Sequence, residues 1–402
     1  MKILWLGTKP PVPPVDGGRL AVLQTLRALR EAGTEVTLVA PVDRGSADAP
    51  GRLSRDLEPV CRPRLVPSRA PGRLRPLLGS IAGPPYAISR HRRPEVTAEV
   101  ERLLAAEPFD IVHCEQLHAL AQTKPARRRG VPVVLRAQNV ESDLWAAAAE
   151  LHPWAGPWLR REARHLARYE GQAVRSVAAT VALTREDARK LERLAGGGAR
   201  VSVVPPPFPP VLPPAEEPLP GDPPVVLLGS GGWLPNADAV RWFVDTVWPV
   251  VRSRCPEAQL HLFAPADGRR LPPGAVLHPP PADSRDAFPR GSIQVVPLRI
   301  ASGIRMKILE AWARGVPVVA TPEAAGGLEA RDGRELLVAG SPAAIGEAIA
   351  KLRASRDLEE SLRQGGRGAL GRFDAGKVAA ELREVYRIAR EGQALARPEG
   401  GS

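Results

Sequence analysis

The sequence predicts an α/β protein of two doubly wound domains, each a mostly parallel sheet with helices on both faces. Three observations carry this. Short apolar runs alternate with helical patterns in two successive series, a proline-rich stretch separates the series, and the 402 residues exceed what one hydrophobic core usually serves.

The first series opens on "KILWLG", an unbroken apolar run of the kind that strands buried on both faces show. It reads as a first buried strand and not as a signal peptide, since only one Lys and a few apolar residues precede Gly7. "GRLAVLQTLRALREAG" follows, with apolar residues at helical spacing and a Gly stop, and "EVTLVAP" completes a βαβ unit. The later strands are "FDIVHC", "VPVVLRA" and "ATVAL", each joined to a helix. Residues 47–85, rich in Arg, Pro and Gly, read as loops over the face of this domain.

At 204–224, "VPPPFPPVLPPAEEPLPGDPP", eleven of 21 residues are Pro, too many for a core strand or helix, so a stiff interdomain linker is expected. The alternation then restarts with "VVLLGS", a helix over 236–254, "AQLHLFA", "AVLHP", "SIQVVPL", a helix over 303–314 and "VPVVAT", followed by helices near 341–354 and 376–392. The expected organisation is a first domain over 1–203, the linker over 204–224, a second domain over 225–375, a helix over 376–392 packing back toward the first domain, and a flexible tail over 393–402. Doubly wound sheets bind ligands beyond the carboxyl ends of their strands, so two of them in succession imply a cleft between those ends.

Charge is uneven along the chain. Residues 1–200 carry 32 Lys/Arg against 21 Asp/Glu, a net of +11, whereas 201–402 carry 24 against 23, a net of +1. The excess concentrates in 52–93, in 160–200 and at Arg127, Arg128 and Arg129. Such a field suits an anionic surface, and a lipid leaflet is expected ahead of nucleic acid, because no nucleic-acid motif occurs and aromatics are only 4% of the chain. No run approaches the roughly 18 apolar residues of a membrane span. Cys61, Cys114 and Cys255 form no CxxC and no even framework, which fits a reducing cytoplasm and no metal held by cysteine. The expected location is cytoplasmic, with peripheral contact at the inner face of the cell membrane.

The segment "PLRIASGIRMKILEAWARGVPVVAT", 297–321, carries the densest chemistry. With "SIQVVPL" as a strand, a helix beginning at Ser302-Gly303 points unsatisfied N–H groups and its positive dipole end at the crevice, and Arg305 and Lys307 add full charge: a phosphate site. Glu310, seven residues beyond Gly303 and so roughly 10 Å along a helix axis, is placed to accept hydrogen bonds from paired hydroxyls such as those of a ribose. The alternative is an amphipathic crossover with Ile304, Ile308, Leu309 and Trp312 inward and the charges solvated, and periodicity alone leaves both open. His113 and His118, five apart, leave open a metal pair, although no third ligand is evident. Glu141 and Asp143 are in principle a general-base pair, with helix capping as the alternative. Gly17-Gly18 before the first helix reads either as a close backbone approach to a ligand or as a simple turn. "HPWAGPWLRREARHLARYEGQAVRS" mixes Trp154, Trp158 and Leu159 with Arg at helical spacing, as an interfacial helix does, or as core packing does.

The 297–321 segment with "GLEARDGRELLVA" resembles the donor-site segment of retaining glycosyltransferases of the GT-B fold, family 4, and "GSGGWLPNADAVRWFVDTVWPVVRSRCPEAQLHLF" resembles the opening of the same catalytic domain in the exopolysaccharide sugar transferase branch. Gly17-Gly18, "FDIVHCEQLHAL" and "VVLRAQNVESDLW" resemble that family's acceptor domain, so the resemblance covers nearly the whole chain. It implies two Rossmann-like domains facing across a cleft, and a metal-independent transfer of a sugar from a nucleoside diphosphate sugar to a sugar, lipid-linked or small-molecule acceptor, with no cofactor. In residues, it implies donor binding by Gly229, Ser230, Pro297, Arg299, Ser302, Gly303, Arg305, Lys307 and Glu310. Catalysis would rest on Glu310, Arg305, Lys307 and Gln138, and the acceptor side on Gly17, Gly18, His113, Asn139 and Glu141. Glu310 matches the second glutamate of the family's E-x7-E motif, whose first falls at Ser302. Three positions depart from the pattern: Gln138 stands where relatives carry an imidazole, Gly326 where the branch often has Glu, and Pro206-Pro207-Phe208 where a P-N-G turn is common. The absence of D-x-D argues against metal-dependent sugar transferases of the other common fold, and no G-x-S-x-G elbow is present. A nucleotide-sugar epimerase or phosphorylase on the same fold, or a non-catalytic nucleotide-sugar-binding member, are the alternatives.

Overall fold

The structure, a computed structural model, describes residues 1–44, 50–69, 71–72, 74–80, 83–152, 154–229, 234–265, 268, 270–281 and 283–395. The chain divides into two compact units, one of Met1–Pro14, Gly18–Pro207 and Ala375–Ser402, the other of Val15–Gly17 and Phe208–Asp374.

Seven strands make the sheet of the first unit: β1 (Lys2–Leu6), β2 (Glu35–Asp43), β3 (Arg62–Ser68), β4 (Ile111–Glu115), β5 (Val133–Ala137), β6 (Ala179–Ala182) and β7 (Val201–Val203). All pairs are parallel and the spatial order is β3-β2-β1-β4-β5-β6-β7. The order reverses at β1, between β2 and β4, which is where such a sheet opens a crevice at its carboxyl edge. The inner strands β4 and β5 are buried at every residue, as their apolar runs require. β3 takes the edge, where Pro63 and Pro67 cost no ladder bond that a central strand would need. Residues 47–85, expected as loops, thus hold β3 and the helices Pro50–Leu57 and Leu74–Gly79. Their Pro and Arg content hid an edge strand whose side chains are mostly only half-buried.

The helix Gly17–Glu31 buries Ala21, Val22, Leu23, Thr25, Leu26, Ala28 and Leu29 and ends at Gly33, whose φ of 72° closes the turn while Thr34 N–H returns to Leu29 O at 2.9 Å. The helix Ala375–Leu395 belongs to this unit too. Val378, Leu382, Val385, Tyr386 and Ala389, at helical spacing, enter the same core as Ile3, Trp5, Leu26 and Leu29.

Of the proline-rich stretch, only 204–207 lies in the first unit. From Phe208 it is laid onto the second unit by the few residues that still have an N–H: Phe208 donates to Phe373 O at 2.8 Å, Leu212 to Ala313 O at 3.0 Å, Ala215 to Phe288 O at 3.1 Å and Asp222 to Glu257 O at 2.8 Å. From Phe208 on, the stretch expected as a stiff linker is thus a strap fastened by its non-proline residues.

The second unit repeats the topology. β8 (Pro224–Leu228), β9 (Gln259–Phe263), β10 (Ala275–His278), β11 (Ile293–Val296), β12 (Val318–Ala320) and β13 (Leu337–Val338) pair in parallel in the order β10-β9-β8-β11-β12-β13, with the reversal at β8. β13 has two residues, and the helix Arg356–Ala369 carries three glycines, so neither stood out by propensity. One of those glycines has a packing reason: a Cβ on Gly366 would lie 2.4 Å from Cδ1 of Trp312. The helix Met306–Arg314, which holds Trp312, ends at Gly315 with φ 68°. Among the described residues, no helix is long and apolar enough to cross a membrane.

Candidate functional site

The helix expected to begin at Ser302-Gly303 begins instead at Met306, with Arg305 as its N-cap. Gly303 sits at φ 74°, outside the helical region, so the chain turns there before the helix starts. The first helical amides are those of Met306 and Lys307, and Glu310 lies one turn from the helix start, roughly 6 Å on at 1.5 Å per residue. The basic pair therefore brackets the helix N-terminus more closely than the spacing predicts.

Arg305 is buried in this turn, and Lys307 reaches back to donate to Leu228 O at 2.8 Å, with Asn236 Oδ1 at 3.5 Å. Leu228 ends β8, the strand at the reversal of order, so the ammonium lies at the carboxyl edge where the crevice is expected. Burial, helped by the neighbouring Arg305 charge, lowers the Lys307 pKa to about 8. Glu310 is buried and binds through one oxygen: Oε1 accepts from Ser284 Oγ at 2.5 Å and from Arg314 Nη2 at 2.8 Å and Nε at 3.1 Å. Arg314 also donates to Pro213 O on the proline strap and lies over the Phe288 ring, 5.7 Å from its centroid. Arg299 is held by Asp238 in a two-pronged bond, 3.0 Å from Nε and 2.5 Å from Nη2, and lies over Trp242. Ser302, Gly303 and Pro297 are buried around the turn. Gly229 follows β8, where a Cβ would meet Val240 Cγ2 at 2.9 Å, while Ser230 lies outside the described residues.

In the first unit, the expected acceptor-side residues divide into two groups. Gln138 is buried just after β5 and donates from Nε2 to Glu115 Oε1 at 2.7 Å, while its Oε1 accepts from Gln116 Nε2 at 2.8 Å. His113, expected on the acceptor side and as half of a metal pair, is fully buried on β4: it stacks on Trp5 and bonds Glu115 and Tyr386. Its ring is wholly buried, packed against Trp5 and Tyr386. His118 lies elsewhere, tilted against His91 at 4.5 Å and 3.8 Å from Glu141, and burial lowers its pKa to about 4. Among the described residues no group of three or more His, Cys, Asp or Glu could hold a metal ion.

Glu141 opens the helix Glu141–Leu151, and burial raises its pKa to about 7, against a hydrogen bond with the half-buried Asn139. Asp143 turns away to an ion pair with Lys190 at 2.8 Å, so the two acids do not form a base pair. Glu170 caps this helix, accepting from Glu141 N–H at 2.7 Å and Ser142 N–H at 3.1 Å. Burial raises its pKa to about 8. Gly17 opens the first helix and Gly18 follows. Gly18 lines a small concavity with Gly7, Thr8, Lys9, Arg19 and Gln116, at the carboxyl ends of β1 and β4. Sequence reasoning missed Thr8, Glu115, Gln116, Ser284, Arg314 and Tyr386. Glu115-Gln116 stood within a segment already singled out, yet nothing in its spacing set them apart from a strand exit.

Residues 16–207 match the family described as Glycosyl transferase 4-like domain, and residues 223–355 match Glycosyl transferases group 1. No curated protein matches the sequence. Among solved structures, sucrose-phosphate synthase from Thermosynechococcus elongatus is similar at TM-score 0.73 and 15% identity, over 98% of this chain and 99% of that one. Anabaena Alr3699/HepE, in complex with UDP and glucose, is similar at TM-score 0.64 and 16% identity over 96% and 98%. A glycosyltransferase from Rickettsia africae gives TM-score 0.64 and 10% identity over the same shares. At these identities the likeness concerns the fold.

Proposed function

We propose that this chain, which belongs to the GT-B glycosyltransferases, moves a sugar from a nucleoside diphosphate sugar to an acceptor hydroxyl with retention of configuration, as a member of family 4 in its exopolysaccharide branch. The observation that carries the reading is the cluster on the Met306–Arg314 helix: Arg305 and Lys307 flank its first residue, and Glu310 stands one turn on. A departing diphosphate needs its growing charge stabilised, and two cations beside a helix N-terminus supply that with no metal in the scheme. Glu310 takes the ribose hydroxyls through Oε2, since Oε1 already accepts from Ser284 and Arg314. The complexes of Anabaena Alr3699/HepE with UDP and with UDP-glucose support a nucleotide sugar as donor. The first unit takes the acceptor, with Gln138, Asn139 and Glu141 on that side, and the product belongs to cell-surface polysaccharide or glycolipid synthesis.

A thermal-shift screen against UDP, GDP, ADP and their sugar conjugates tests the donor, because a ligand that binds only the native state raises apparent stability. NMR of the product anomer then tests retention. No stabilisation by any nucleotide would overturn the reading. A second reading rests on Gln138, an amide that cannot take up and pass on a proton where a relative has an imidazole: the chain then binds a nucleotide sugar without transferring it. Binding with neither transfer nor slow donor hydrolysis would select that reading.

Peripheral contact with an anionic leaflet is part of the proposal. Trp154 is fully exposed, and Arg160, Arg161, Arg164 and Arg168 lie along the exposed face of the helix Gly156–Ser176 that follows it. This combination suits headgroup phosphates with an interfacial indole. Cosedimentation with phosphatidylglycerol vesicles should weaken with salt and with Trp154→Ala, and binding indifferent to both would remove the idea.

A further inference from the structure

We propose that Glu115 is a positioning residue: through a buried chain of hydrogen bonds it fixes the polarity of the first unit's carboxyl edge, so that Thr8 offers a hydrogen-bond acceptor to an incoming sugar hydroxyl. The inference rests on the reading that this unit takes a hydroxylated acceptor.

The chain runs without a break from Thr8, just after β1, to Tyr386 on the helix Ala375–Leu395. Thr8 Oγ1 lies 2.9 Å from Gln116 Oε1, Gln116 Nε2 lies 2.8 Å from Gln138 Oε1, and Gln138 Nε2 lies 2.7 Å from Glu115 Oε1. On the far side, Glu115 Oε2 is 3.0 Å from His113 Nε2, and His113 Nδ1 is 2.8 Å from the Tyr386 hydroxyl on the C-terminal helix. Its direction follows from chemistry. Glu115 is buried, which pushes its carboxyl up, but Arg136 at 3.6 Å and the bonds from His113 and Gln138 outweigh this and hold it below the ordinary range, so it is a carboxylate. A carboxylate only accepts, so His113 donates from Nε2 and its Nδ1 accepts from Tyr386. Gln138 must turn its amino group toward Glu115 and its carbonyl toward Gln116, whose own carbonyl then takes the Thr8 proton. Every donor points toward Glu115. Thr8, its proton already given, is left with lone pairs at the concavity it lines with Gly7, Lys9, Gly18, Arg19 and Gln116.

Gln116 supplies an independent sign that the arrangement is held under load. Its φ of 68°, ψ of 150°, lies where non-glycine residues are rare, and it persists because Gln116 N–H bonds Arg136 O at 2.9 Å and both ends of the side chain are bonded. Such strain is kept where surrounding structure over-determines it, commonly at ligand sites.

The test uses the full chain and two readouts. Long-range 15N NMR should find His113 as the neutral Nε2–H tautomer, and Glu115→Gln should disturb that assignment. Saturation-transfer NMR with glucose, galactose and mannose reads the concavity. Losing one such bond should cut hexose binding by about tenfold in Thr8→Val, while Thr8→Ser stays within about threefold of the parent. Tyr386→Phe and Glu115→Gln should weaken binding in the same sense. Thr8→Val, half-exposed and isosteric, keeps the proposal testable if the core variants misfold. Binding in Thr8→Val equal to the parent, no hexose binding by the parent, or an Nδ1–H tautomer would overturn it. Unchanged hexose binding in Thr8→Val, with UDP still stabilising the parent, marks a failure of this inference alone, whereas no UDP stabilisation of the parent marks a failure of the donor reading, with the His113 tautomer still deciding the chain.

Discussion

The two units share one topology and carry different chemistry at the same place. In each, the order of parallel strands reverses at its first strand, β1 in one and β8 in the other, and polar side chains gather at the carboxyl edge beside it. Around β1 and β4 these are a hydroxyl and two amides anchored on a carboxylate: Thr8, Gln116, Gln138 and Glu115. Beside β8 they are cations, with Lys307 bonded to the last carbonyl of the strand and Arg305 next to it. On the proposed reading, the backbone decides where a ligand sits, and the side chains decide whether it is a hydroxyl or a phosphate.

The sharpest break in the comparison is Glu310→Ala, expected to abolish transfer. It also strands the buried Arg314, a loss of about 3–5 kcal/mol for a broken buried pair, so Glu310→Gln is the companion. The amide can still accept from Ser284 and Arg314, so that variant should fold and lose nucleotide affinity with its turnover. Full turnover in Glu310→Gln would end the assignment. Arg305→Ala with Lys307→Ala should come next, costing about 100- to 1,000-fold in kcat/KM if the cations stabilise the leaving diphosphate. Equal kcat/KM would leave them as bonds that hold the turn, with no part in stabilising the diphosphate.

Stability separates the units as well. Gly366→Ala places a methyl 2.4 Å from Trp312, on the helix that carries Glu310, and should lower the second unit's stability by about 1–3 kcal/mol in calorimetry. A transition of the first unit that moved as much would show the units unfold together.

Two pH effects are smaller and also differ by unit. Lys307 titrates near 8, so a diphosphate that needs its charge should bind less well as pH rises past about 8, by at most about tenfold per unit. Titration calorimetry of UDP between pH 7 and 9, compared with Lys307→Met, reads this directly. In the first unit, Glu170 is raised from 4.5 to about 8, so the folded chain holds a proton that the unfolded chain has released. Its contribution to stability is whole below about pH 4.5 and is lost as pH rises through about 8. Glu170→Gln, which keeps one acceptor oxygen for the Glu141 and Ser142 N–H groups and has no proton to titrate, should flatten the fall in melting temperature across that window.

Much of this was legible in the residues. Most strands of both sheets follow from apolar runs, the exceptions being β3, β7 and β13, and the proline block marks the passage between units. Arg305, Lys307 and Glu310 are close because a helix joins them. The helix start was not legible, because Gly303 reads as a helical glycine until its positive φ is seen. The attachment of the strap was not legible for a related reason: composition counts prolines, whereas attachment depends on the N–H groups between them.

By itself the sequence determined the two parallel α/β sheets and the local cluster of cations and carboxylate, because apolar periodicity and helical spacing act between near neighbours. Tertiary structure alone decided that Tyr386 meets His113 across 273 residues, that Arg314 and Ser284 claim one oxygen of Glu310, and that Gln138 faces Glu115. Those partners are chosen by which buried donor must find an acceptor once the core has closed, a demand that no spacing along the chain records.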